Sequence, residues 1–85
     1  MPVRVTIEAA SKAEAELIAE GLPIRARVQA WRGRGVIRLG PRTRAEKDDF
    51  IAAVERSFQE HKLRWARVRY DDDERVFRSN GTRPA

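Results

Sequence analysis

The sequence predicts an α+β sandwich: a four-stranded antiparallel sheet with both helices on one face, in the order βαββαβ. Two observations carry that expectation. Apolar and polar residues alternate in four short stretches, the period-two signature of half-buried strands. Between them lie two segments with helical apolar spacing, each opened by a hydroxyl residue with glutamate three positions on.

The first strand is VRVTIEA, residues 3–9, with Val3, Val5 and Ile7 on one face and Arg4, Thr6 and Glu8 on the other. Ser11 and Glu14 in SKAE form a capping-box pattern, in which hydroxyl and carboxylate satisfy the free amides of a helix start. That helix sets Ala10, Ala13, Leu17 and Ile18 on one stripe and stops at Gly21 and Pro23. IRARVQAW, 24–31, alternates again with Ile24, Ala26, Val28 and Ala30 inward. RGRG then turns, with Gly33 and Gly35 supplying positive φ, and GVIRL returns with Ile37 and Leu39 inward. Residues 24–39 read as a β-hairpin. Thr43 and Glu46 open a longer helix over 44–61, buried along Phe50, Ile51, Val54 and Phe58. RWARVRY is the fourth strand, with Ala66, Val68 and Tyr70 inward. DDDE makes an acidic turn, and RVFRS offers a short extra C-terminal strand at the edge. RARV after the first helix is echoed by WARV after the second. The chain thus reads as a duplicated split strand–helix–strand unit, the ferredoxin-like layout. The expected domain covers 1–78, and 79–85 is expected to be a flexible tail.

A chain of 85 residues with 41% hydrophobic and 36% charged side chains can close one small core. The absence of cysteine excludes a disulfide framework and a thiolate zinc site. No apolar run approaches the roughly 18 residues of a membrane span, and no signal peptide opens the chain, so a cytoplasmic protein is expected. Fifteen arginines against three lysines fit a high-GC bacterial genome or one of its phages. No nucleophile–base pair, phosphate-binding loop or metal-ligand spacing is present, which points away from an enzyme, a cofactor or a metal site. Asp71 to Glu74 lacks the glycine and distal glutamate of a calcium loop and reads as a solvated turn. His61, the only histidine, stands at the end of the second helix, where a cation suits the helix dipole.

The net charge of +5 is unevenly placed: residues 21–44 hold seven arginines and no acid. If the apolar residues of each strand face the helices, their neighbours face the open side. That set is Arg4, Thr6 and Glu8; Arg25, Arg27, Gln29 and Trp31; Arg34, Val36 and Arg38; Trp65, Arg67 and Arg69. Like charges on adjacent strands repel by a few tenths of a kcal/mol per opposed pair, so such a face calls for an anionic partner. RGRGVIRL, 32–39, resembles the central-strand signature of RNA-recognition motifs, basic-Gly-x-Gly followed by apolar alternation. The resemblance covers eight residues, and Arg34, Val36 and Leu39 stand where that family places aromatic rings. It implies single-stranded RNA laid on a sheet face, without that family's base-reading geometry.

The expectation is a small, non-enzymatic protein that binds single-stranded RNA or DNA with low sequence selectivity, in preference to duplex. Its contacts are Arg4, Arg25, Arg27, Arg34, Arg38, Arg67 and Arg69, with Trp31 and Trp65 as stacking platforms. The alternative is a protein-interaction module, such as a phage-type inhibitor or regulator, whose basic face docks on an acidic protein. A variant of that alternative is a homodimer joined through the sheet faces.

Overall fold

A computed structural model of the chain describes residues 3–71 and 73–78; Asp72 and the expected tail at 79–85 lie outside the described residues. The elements are β1 (Val3–Ala9), α1 (Lys12–Gly21), β2 (Val28–Trp31), β3 (Arg34–Arg42), α2 (Arg44–Glu60), β4 (Trp65–Tyr70) and β5 (Asp73–Arg78). They form an α+β domain with two helices and one five-stranded antiparallel sheet in the order β2-β3-β1-β4-β5. The sheet therefore has five strands where four were expected. The short extra strand is a full partner of β4, and it starts inside the acidic stretch. Asp73 pairs with Tyr70 and Glu74 with Arg69.

β1 sits at the centre because both its neighbours can bury its alternate residues: Val5, Ile7 and Ala9 are almost wholly enclosed. Ile37 from β3 and Ala66 and Val68 from β4 face the same way, and Ala15 and Ile18 of α1 and Phe50, Ala53 and Val54 of α2 close over them. Each such Val, Ile or Phe contributes about 1.5–3 kcal/mol by leaving water. One core, on one side of the sheet, holds the molecule together.

The stripe of α1 differs from expectation. Ala13 is exposed and Ala15 is buried, so the inward series runs Ala15, Ile18, Leu22. Ser11 accepts the Glu14 amide at 3.2 Å, but the Glu14 carboxylate does not return to close the box. It accepts instead from the Arg64 amide at 3.1 Å and the Arg64 Nε at 2.9 Å, tying the helix start to the entry of β4. At α2 the expected box closes in both directions, Thr43 Oγ1 accepting from the Glu46 amide at 3.1 Å and Glu46 accepting from the Thr43 amide at 3.0 Å.

β2 is shorter than the alternation suggested. Ile24, Ala26 and Val28 do pack against the core, but the ladder begins only at Val28, and Ala30 is exposed. Beyond Ile37, β3 is bulged against β1, with Gly40 at φ +73°, and a bulged strand twists away from a neighbour. The hairpin turn is Arg32-Gly33, both at positive φ (+50° and +80°), between the paired residues Trp31 and Arg34. Gly35 is not part of it. It lies buried in β3, where a Cβ would come within 2.4 Å of the Ala15 Cβ and 2.5 Å of the Ser11 carbonyl oxygen. Its missing side chain lets α1 sit down on the sheet.

Candidate functional site

The sheet face opposite the helices is built from the residues that alternate with the core set. Register sets Glu8 of β1 beside Val36 of β3 and Arg67 of β4, and Thr6 beside Arg38 and Arg69. β5 extends both rows, with Val76 next to Arg67 and Glu74 next to Arg69.

Glu8 is the centre of this face. Arg67 Nη2 donates to Glu8 Oε1 at 2.7 Å, and Arg34 and Arg69 approach its two oxygens at 3.9 Å. Ringed by these guanidinium groups, Glu8 is only 8% exposed on a face that no helix covers. Val36, beside Glu8 on β3, is also buried, at 4%. Long basic side chains bury their methylenes on apolar surface and leave the guanidinium in water. Arg67 also reaches Glu74 at 3.7 Å, and Arg38 donates to Gln29 Oε1 at 3.0 Å.

The tryptophans take part differently. Trp65 is half-buried, with the guanidinium carbons of Arg34 and Arg67 at 5.5 and 5.9 Å from its ring centroid. Trp31 is 50% exposed, and Arg32 lies 4.9 Å over it. Such cation–π contacts hold guanidinium groups beside flat rings, with donors left free.

Two shallow hollows result. One, of about 250 Å³, is lined by Arg34, Trp65, Arg67, Glu74, Val76 and Arg78. The other, of about 350 Å³, is lined by Arg4, Thr6, Glu8, Trp31, Val36, Arg38, Arg69 and Asp71. Together they carry six arginines and three carboxylates, a net charge of +3. Of the nine residues expected from the sequence, seven line these hollows: Arg4, Trp31, Arg34, Arg38, Trp65, Arg67 and Arg69. Arg25 and Arg27 do not. They are exposed on the extended segment before β2 and line neither hollow.

Sequence reasoning missed Glu74, Val76, Arg78 and the rim residue Asp71. Pairing Asp73 with Tyr70, the last residue of the fourth strand, was the reading that could have found them, since it places Glu74 opposite Arg69 and fixes the parity of β5. Among the described residues no three His, Cys, Asp or Glu side chains are gathered as a metal site would need, and no helix is long and apolar enough to cross a membrane. No protein-family model, curated protein or solved structure matches the chain. What the face offers chemically is directed guanidinium donors beside indole rings, arranged around one internal counter-charge.

Proposed function

We propose that this is a small, non-enzymatic, cytoplasmic nucleic-acid-binding protein with a ferredoxin-like sandwich extended by one edge strand. Its open sheet face holds single-stranded RNA or DNA with low sequence selectivity. The observation that carries the reading is the coincidence of indole and guanidinium on one uncovered surface: Trp31 with Arg32, and Trp65 between Arg34 and Arg67. Arginine offers phosphate a planar fork of donors, and an indole gives a base a stacking surface contributing about 1–3 kcal/mol. A flat sheet suits splayed nucleotides better than the groove of a duplex. Arg4, Arg34, Arg38 and Arg69 are the phosphate contacts in this reading. Arg67 holds Glu8 and organises the others, and Arg25 and Arg27 are peripheral.

An acidic protein surface is the second reading. Trp31 and Val76 favour it, as the large apolar side chains most exposed among the described residues. Titration of the protein with short single-stranded RNA and DNA, read by tryptophan fluorescence across a salt series, separates the two. The nucleic-acid reading expects quenching, with log affinity falling against log salt by about 0.7 per phosphate contacted. Arg38→Glu and Arg69→Glu should each weaken binding severalfold. Absence of binding at low salt, or indifference to both reversals, leaves the acidic protein partner.

A further inference from the structure

The outer edge of β5 is a hydrogen-bonding ladder that no strand among the described residues covers. The Asp71 amide donates to the Arg4 carbonyl of β1 at 3.3 Å, so odd-numbered residues at this end of β4 turn their backbone groups toward β1. Even-numbered residues face β5, Tyr70 meets Asp73, and Asp73, Arg75 and Phe77 point their backbone groups at β4. The N–H and C=O groups of Val76 and Arg78 and the C=O of Glu74 therefore point outward unpaired, while the outward Glu74 amide donates to Asp73 Oδ1 at 2.8 Å, a local bond that a paired strand would replace. Among the described residues, no strand pairs with them. Such an edge is a template for another strand.

We infer that this edge is a homodimer seam, in which two copies of β5 pair antiparallel about a two-fold axis at Val76. Antiparallel pairing must oppose side chains of the same face, which restricts the axis to a residue position. An axis at Val76 sets Val76 against itself and Glu74 against Arg78 of the second copy, twice by symmetry. On the helix-side face it sets Arg75 against Phe77 of the second copy, a contact type the chain already makes internally with the Arg75 guanidinium 5.7 Å over the Phe77 ring. An axis at Arg75 would oppose arginine to arginine and glutamate to valine. The axis at Val76 is thus the one that sets two opposite-charge pairs on the open face.

The seam covers Val76, which is 36% exposed, and joins two five-stranded sheets into one continuous sheet. The hollow around Trp65, walled by Glu74, Val76 and Arg78, then meets its copy across the axis. The interface is isologous, as two-fold dimers require. It does not depend on what the open face binds.

Sedimentation of the full chain from dilute to near-millimolar concentration tests the seam, with circular dichroism to confirm each variant is folded. A concentration-dependent dimer is expected. Arg78→Glu opposes acid to acid at both symmetric pairs and should weaken the dimer about tenfold or more. Adding Glu74→Arg to it restores opposite charges and should restore the dimer. Val76→Pro deletes an outward amide without touching the β4 ladder, and should be monomeric. A wild-type monomer at every concentration overturns the proposal. So does a dimer indifferent to Arg78→Glu and Val76→Pro, or a folded double variant that stays monomeric.

Discussion

Glu8 works in opposite directions for stability and for binding. It draws Arg34, Arg67 and Arg69 together and removes one unit of positive charge from the face they form. Glu8→Gln should therefore lower stability by about 1–2 kcal/mol, less than for a fully buried pair because Arg34 and Arg69 reach solvent. The same substitution should tighten single-stranded oligonucleotide binding. Urea denaturation and the fluorescence titration read the two effects, and a loss in both would show that Glu8 positions the contacts rather than restraining them. Two glycines make a second pair of opposites. Gly35→Ala drives a methyl into α1 and should cost about 1–3 kcal/mol by overpacking. Gly33→Ala meets open space at φ +80°, so its cost, about 1–2 kcal/mol, is backbone strain alone. Urea midpoints check both. Residue identity alone separates neither pair. RGRG reads as a turn with both glycines alike, and only the approach of Ala15 and Ser11 distinguishes the second. Glu8 was legible as outward-facing, but its arginines come from strands far along the chain.

Capping of the two helices was legible from Ser11, Glu14, Thr43 and Glu46, and only the second box closes. The difference lies in Arg64, which is distant in sequence and takes Glu14 away from its own helix start. At α2 the Thr43 amide, and then the Thr43 hydroxyl, hold the Glu46 carboxyl below its ordinary pKa. A depressed folded-state pKa contributes stability that is present above the unfolded value, about 4.3, and lost as pH falls through the folded one. Thr43→Ala should cost about 1 kcal/mol at neutral pH, but it keeps the residue-43 amide. Glu46→Gln removes the titrating carboxyl and should flatten the decline of stability between neutral and strongly acidic solution. Thermal denaturation across that range is the check, and a parallel pH profile in the glutamine variant would remove the box as its cause. The strands were legible by alternation, whereas their ends were not. β2 begins only past the bulge of β3, and β5 begins inside an acidic run that composition assigns to a turn.

At the scale of the whole molecule, one-sided burial is what made the open face readable. Period-two patterning names the two faces of every strand before their order in the sheet is known. It does not give that order, so a basic surface was foreseeable while the hollows around Trp65 and Trp31 were not. The place of β1 has a consequence for how the domain comes into being. β1 leaves the ribosome first of all the strands, yet its two ladders wait for β3 and then for β4, whose Tyr70 closes on Val5. Until β4 is made, the most deeply buried strand of the sheet has one neighbour or none. Pairings this remote in sequence form slowly. The molecule is assembled around a keystone that is made early and locked late.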